Sequence, residues 1–319
     1  MFFKNLMKWM IMITIMVTIT SNFWFIFWIM MEMNMMMFII IMKNNKMENS
    51  FSMIMYFIIQ SFSSILFFMG SLFSLIQLSF LIELLINISV LIKMAMIPFH
   101  FWLISISEIL DFNSFLMILT IQKIIPLFIL TKIKMEISFF VSIISLIFSV
   151  ILAFNLKIFK KILIFSSVSH QSWLIMLIFN MSNFWISYMI IYFMMIYSAI
   201  KILKKNNINS MYTFFFKKML MNEKISMFIT MMSLGGMPPF IGFFIKFLSL
   251  LILMKSSKLI MIILIISSLI NIFIYIRLMM PILMSMTKYS MSFNFLKKIK
   301  WYSTNLLTIL TLIMFNLMI

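Results

Sequence analysis

Long apolar runs follow one another along this chain with only short polar interruptions, and that pattern constrains the fold more than any single motif. A membrane-spanning helix needs about 20 consecutive apolar residues. Reading the runs between charge and turn clusters yields eleven candidates, at 5–20, 23–42, 51–76, 79–103, 111–131, 135–154, 158–179, 183–203, 224–254, 258–282 and 302–319. A transmembrane β-barrel would instead alternate apolar and polar residues over short segments. Soluble domains are roughly half apolar and a quarter charged; this chain is 65% hydrophobic and 10% charged, with a mean hydropathy of +1.18. The expected fold is therefore all-α and polytopic. The third and ninth spans are long for one pass, which predicts tilt, a kink or an extramembrane turn. The only long polar interval is 204–223, so the chain reads as a single transmembrane domain over 1–319.

The residue inventory removes several chemistries. With no cysteine there is no disulfide and no Cys-ligated iron–sulfur cluster. Two histidines, His100 and His170, are too few for a structural zinc site. They could in principle ligate one haem from separate spans, but nothing else in the chain resembles a haem pocket. No strand precedes a Gly-rich loop, so neither NADH nor flavin is expected to bind here, and no cofactor is expected in this chain. Met, Ile, Phe, Asn and Lys abound while Ala occurs only at Ala95, Ala153 and Ala199, a skew that fits strong A+T pressure on the gene, as in organelle genomes. The first apolar run lacks a cleavable-signal pattern and is long enough to stay as a helix, so insertion where the chain is made is expected.

Loop charges predict the orientation. Seventeen lysines, among them Lys4, Lys8, Lys43, Lys157, Lys160 and Lys205, fall on the side holding the N-terminus, against four opposite, Lys132, Lys134, Lys255 and Lys258. Positive charge stays on the side of synthesis, so the N-terminus is expected to face the cytosol or the mitochondrial matrix. The same asymmetry accounts for most of the +18 net charge, and no nucleic-acid partner is expected.

Four cations remain inside helices: Lys93, Lys123, Lys246 and Arg277. Glu32 joins them near the middle of the second span, and Glu83 near one end of the fourth. A charge at the bilayer centre costs about 2.5–3.5 kcal/mol on insertion scales, so the cluster calls for an explanation. Arg277 and Glu83 lie close enough to span ends to snorkel. Glu32, ten residues into its span, is too deep for that and is the natural counter-ion of a buried lysine. A carboxylate beside an ammonium keeps both charged, and separating the two favours their neutral forms. Such a pair is a protonation switch; a static salt bridge is the competing structural reading. Burial can bring a lysine within reach of proton exchange at physiological pH, whereas a guanidinium keeps its proton. A row of buried lysines is therefore a competent proton relay, although ion pairing for packing alone would also explain it.

Helix breaks recur at matching places. Pro98 follows Lys93 in the fourth span, and Gly235-Gly236-Met237-Pro238-Pro239 interrupts the ninth ahead of Lys246. The fifth span carries Lys123 with Pro126, and the tenth Arg277 with Pro281; the second and seventh carry Glu32 and His170. The offset is five spans, an odd number, so two five-helix units, approximately 1–131 and 135–282, would run in opposite directions across the membrane. Interrupted helices at corresponding places in two halves point to an inverted-repeat transporter. His170 sits in the polar run Ser166-Ser167-Val168-Ser169-His170-Gln171-Ser172, which can hold water and conduct protons or simply hydrogen-bond between helices. His100, in Pro98-Phe99-His100-Phe101-Trp102, is expected to act as an interfacial anchor.

These residues resemble a known family. Ser233-Leu234-Gly235-Gly236-Met237-Pro238-Pro239-Phe240-Ile241-Gly242-Phe243 with Lys246 is similar to the diproline segment of the antiporter-like subunits of mitochondrial NADH–ubiquinone oxidoreductase (complex I). Trp28 to Asn34, Lys93 to Trp102, Gln122-Lys123 with Pro126, Lys161 to Trp173 with His170, and Tyr275 to Leu278 follow in the order of the subunit 2 family. The resemblance implies eleven helices, an inverted repeat, and a core place in the membrane arm within the mitochondrial inner membrane, beside neighbouring antiporter-like chains and lipids. It further implies proton translocation driven by NADH oxidation and ubiquinone reduction in other subunits, which carry the flavin and iron–sulfur clusters. By position, Glu32 would tune Lys93, Lys123 would be the central relay, Lys246 the terminal proton site, and His170 a further candidate relay. Three departures stand out: Ala95 where the family usually has Gly, which predicts a less open break near Pro98; Leu103-Ile104-Ser105 in place of a Pro and Glu; and Ile245 in place of a proline. The competing functions are a stand-alone cation/proton antiporter, a purely structural membrane-arm scaffold, and, more weakly, a substrate transporter.

Overall fold

In the computed structural model, which describes residues 2–43, 48–73, 79–133, 135–180, 182–216, 221–254 and 258–286, the regular structure is helical apart from one isolated antiparallel bridge between Ile158 and Ser210. In chain order the helices are α1 Phe2–Thr20, α2 Trp24–Met42, α3 Glu48–Phe73, α4 Ser79–Met94, α5 Phe101–Ile109, α6 Phe112–Leu119 and, after a 3₁₀ turn at Ile121–Lys123, α7 Ile124–Ile133. They continue as α8 Glu136–Ala153, α9 Phe159–Phe179, α10 Phe184–Lys205, α11 Met211–Phe216, α12 Met221–Gly235, α13 Ile241–Leu253 and α14 Lys258–Met286. Among the described residues, eight stretches are long and apolar enough to cross a membrane. The protein is an all-α polytopic membrane protein. The expected fourth and ninth spans are absent from those eight because each is broken in two; the expected eleventh, 302–319, lies outside the described residues.

Both breaks end their first half in the same way. At the end of α12, Gly236 adopts φ +89°, with Gly236 N donating to Ser233 O at 3.1 Å and Met237 N to Met232 O at 3.2 Å. At the end of α4, Ala95 adopts φ +56°, with Ala95 N donating to Ile92 O at 3.0 Å and Met96 N to Leu91 O at 3.1 Å. These are Schellman caps, which satisfy carbonyls that a stopped helix would otherwise orphan. Six residues separate α4 from α5 at this break, and five separate α12 from α13. An alanine in the left-handed region costs about 1–2 kcal/mol, partly offset because glycine would lose more freedom on folding. Ala95→Gly is therefore expected to stabilise the protein by about 0.5–1 kcal/mol, read as a higher thermal unfolding midpoint; a lower midpoint would contradict it.

Other departures from the sequence expectation are local. α3 runs unbroken for 26 residues. At 1.5 Å per residue that is about 39 Å, longer than the roughly 30 Å hydrocarbon core, and no turn interrupts it. α5 continues to Ile109, well past the expected end at 103, because Ser105 and Ser107 bond their hydroxyls to Trp102 O and Ile104 O and so do not break it. The polar interval 204–223 contains the short helix α11, entered through Ser210 and Thr213, whose side chains and backbone amides pair reciprocally at 3.1 and 3.4 Å.

The chain forms two compact units, one of Met1–Ser149 with Leu163–Phe179, the other of Val150–Ile162 with Asn180–Ile319. In the first, α1 and α2 form a hairpin. At its open end Lys4 donates to Lys43 O at 2.6 Å, and at its turn Lys132 donates to Asn22 Oδ1 at 3.2 Å. Gly70 lets α3 approach α4, since a Cβ there would come within 2.7 Å of Ile86 Cγ1. α9 is the most enclosed of the spans, 94% buried. Its polar run survives there because Ser166, Ser167, Ser169 and Ser172 donate to carbonyls one turn back. In the second unit, Arg277 donates to Phe154 O and lies 5.0 Å from the Phe154 ring, so it is tied to a loop of the protein and does not simply snorkel. Exposed Glu83 can do so.

Candidate functional site

The first unit gathers Glu32, Lys93 and Lys123. Lys93 lies in the last turn of α4, where the helix's C-terminal partial charge favours a cation. The Glu32 carboxylate on α2 acts on its ammonium electrostatically. The break beyond Lys93 is closed by Trp102, whose Nε1 donates to Ile92 O at 3.2 Å. Glu32 and Lys93 are each partly enclosed, whereas Lys123 is only 3% exposed.

Lys123 owes its position to a distortion. Pro126 has no N–H, so the Gln122 carbonyl loses its bond from the next turn, and the backbone tightens into the 3₁₀ turn Ile121–Lys123 after Thr120 leaves helical geometry at ψ −83°. Lys123 Nζ then donates to Ser167 Oγ on α9 at 3.0 Å, while the Ser167 hydroxyl donates to Ile164 O at 2.7 Å. Because Ser167 turns its proton away, its lone pairs face the lysine. An ammonium has three donors and a neutral amine two, so this bond persists in either protonation state. A buried lysine held by a hydroxyl, in a structure that does not collapse when a proton leaves, is what a relay needs.

Between Lys93 and Lys123 lies a polar crevice, lined also by Asn34, Tyr56, Gln60 and Gln122. Its free volume of about 20 Å³ is enough for about one water. Gln122 Nε2 donates to Asn34 Oδ1 at 3.1 Å, and Tyr56 Oη donates to Gln122 Oε1 at 3.5 Å. Sequence reasoning missed Tyr56 and Gln60 and gave Asn34 and Gln122 no role of their own. A single polar residue in an apolar helix does signal an inward face, but its partners on other helices cannot be read from one chain. His170 is buried at 3% exposure in α9. His100 is not an outward anchor: it is 4% exposed, with its ring 5.7 Å from that of Phe165, because the helix break turns it inward.

The second unit holds Lys246. Its ammonium donates to the carbonyl of Gly235, the last residue of α12, at 2.7 Å and is 6% exposed. The lysine on α13 thus caps the negative end of the half-helix before the break. Two glycines make this approach feasible. A Cβ on Gly236 would sit 3.0 Å from Lys246 Cδ, and one on Gly242 would run into the Ser233 carbonyl. Among the described residues, no cluster of His, Asp and Glu suited to a metal ion occurs.

Comparison with known proteins places this geometry in context. Residues 21–271 match the family described as NADH:quinone oxidoreductase/Mrp antiporter, transmembrane. A protein of Rhipicephalus sanguineus named NADH-ubiquinone oxidoreductase chain 2 is 50% identical over 310 residues, covering 97% of this chain and 99% of that one. The protein of the same name from Artemia franciscana is 34% identical, covering 88% of this chain and 90% of its own length. Among solved structures, a chain of respiratory complex I from Thermus thermophilus superposes with a TM-score of 0.77 at 15% identity, covering 88% of this chain and 71% of that one. A chain of the Mrp complex from Dietzia sp. has a TM-score of 0.73 at 13% identity, covering 84% of this chain and 58% of that one.

Proposed function

This chain belongs to the NADH:quinone oxidoreductase/Mrp antiporter transmembrane family, and from that premise we propose that it is the chain 2 membrane subunit of a mitochondrial NADH–ubiquinone oxidoreductase, moving protons across the inner membrane. Identity of 50% across nearly the whole length of a relative bearing that name supports this assignment over a stand-alone antiporter. NADH, flavin, iron–sulfur clusters and ubiquinone are then handled by other subunits. The partners are neighbouring membrane-arm chains and lipid. Lys4 and Lys43 cluster at one end of the α1–α2 hairpin and Lys132 at the other, and the lysine excess on the first side supports an N-terminus facing the matrix.

The observation that carries the mechanism is the burial of lysines among hydrogen-bonding groups of the protein. Glu32 sets the charge of Lys93, Lys123, held by the Ser167 hydroxyl, receives the proton, and Lys246 is the terminal site on the capped half-helix. His170, within the enclosed serine run of α9, extends the route. The matching Schellman caps at Ala95 and Gly236 support two inverted units, approximately 1–131 and 135–282. Moving one proton against 100 mV requires about 2.3 kcal/mol, a quantity that modest changes in the surroundings of a buried charge supply.

Glu32→Gln keeps the shape and removes the charge. In the assembled complex it is expected to slow proton translocation severalfold with normal assembly, while Glu83→Gln, on an exposed residue, leaves it unchanged. The check is proton uptake by proteoliposomes during NADH oxidation. Wild-type rates in Glu32→Gln would favour the scaffold reading.

A further inference from the structure

We propose that Tyr56 passes the proton between Lys93 and Lys123, with Gln122 and Asn34 as the positioning residues that aim its hydroxyl. This rests on the reading of the two lysines as successive proton sites. Both lysines line the same crevice, and so does Tyr56, which is 3% exposed. Of the other polar groups there, Asn34, Gln60 and Gln122 are amides, which hold hydrogen bonds but do not exchange protons readily, and the Trp102 indole N–H is a donor only, committed to Ile92 O. A phenol can accept a proton on oxygen as it releases its own.

The geometry suits that exchange. The ring is fixed by Phe38 and Trp102, at centroid distances of 5.2 and 6.0 Å, so only the hydroxyl is free to turn. Its bond to Gln122 Oε1 is 3.5 Å long, against about 2.7–2.8 Å for an ordinary O–H···O bond, so water can replace it at little cost. Gln122 is itself anchored on Asn34 at 3.1 Å. The crevice has room for about one water beside the phenol. In the step, an N–H bond breaks at Lys93 and its proton reaches Tyr56 Oη directly or through that water. The phenolic proton leaves toward Lys123, where a new N–H bond forms. Tyr56 ends neutral, with its O–H reversed, and no oxidant or reductant is consumed.

The test uses the complete complex in proteoliposomes with Tyr56→Phe, which keeps the ring packing, alongside Gln122→Met and Lys123→Ala. Tyr56→Phe is expected to lower proton translocation about tenfold at normal assembly, and to raise the ratio of rates in H₂O and D₂O because proton transfer becomes limiting. Gln122→Met is expected to lower it less, and it decides the matter if Tyr56→Phe fails to assemble. If the decisive variant matches wild type in rate and isotope ratio while Lys123→Ala is impaired, the role of Tyr56 is overturned and the lysine relay stands. If Lys123→Ala is also unimpaired, the relay itself fails.

Discussion

Gly242→Ala is expected to lower accumulation of the assembled complex severalfold. Gly242 is the second residue of α13, directly behind the break, and a Cβ there would collide with the backbone carbonyl of Ser233, not with a side chain that could swing aside. The Ser233 carbonyl already accepts from Gly236 N in the cap that ends α12, and that cap in turn presents Gly235 O to Lys246. Relieving the clash therefore requires moving α13, undoing the cap, or both. Overpacking in a tight core costs about 1–3 kcal/mol and occasionally more; loss of the buried lysine's partner adds about 1–3 kcal/mol. The sum, about 2–6 kcal/mol, is a large fraction of a total stability of about 5–15 kcal/mol, enough to lower the amount of folded protein that reaches the complex. Native-gel abundance of the complex is the readout. Gly235→Ala serves as the comparison, because its Cβ would meet Tyr275 Cδ2 at 3.3 Å, a contact a small ring movement relieves. Wild-type abundance of Gly242→Ala would show that the two half-helices do not meet as described.

Much of this arrangement is legible from the chain itself, for identifiable reasons. Gly236 takes the left-handed conformation without steric cost, and the Pro238-Pro239 pair removes two backbone donors whatever surrounds it, so the break in the ninth span is plain in the sequence. Pro98 likewise marks the fourth. The stop at Ala95 is less visible, because alanine takes the left-handed conformation only when the surrounding structure enforces it. Lys123, Lys246 and Glu32 stand out because charge in an apolar run is costly. The 3₁₀ turn that delivers Lys123 to Ser167 is hidden: Pro126 announces a freed carbonyl but not how the backbone absorbs it. Hidden too are the contacts of Asn34 with Gln122 and of Gln122 with Tyr56, which join residues 88 and 66 positions apart. A helix's period tells which residues share its own face; it says nothing about which residues of another helix lie opposite. His100 illustrates the same limit, since its aromatic neighbours suggest an interfacial belt until the break folds it inward.

Lys123→Ala should have the largest functional effect of any substitution that leaves the fold intact. It deletes the ammonium that Ser167 receives and leaves the crevice with Lys93 as its one lysine. Removing a positioned proton-transfer group costs about 10²–10⁴-fold in the step it serves, so translocation is expected to fall at least tenfold even if water partly substitutes. Lys123→Arg separates charge from chemistry. A guanidinium would preserve a structural positive charge but does not release its proton, so the relay predicts that arginine fails to rescue, whereas a packing role predicts that it succeeds. The decisive measurement is therefore the proton translocation rate during NADH oxidation by proteoliposomes containing fully assembled Lys123→Ala and Lys123→Arg complexes. The relay requires both to fall at least tenfold below wild type; a wild-type rate in the alanine variant, or restoration by arginine, would contradict it.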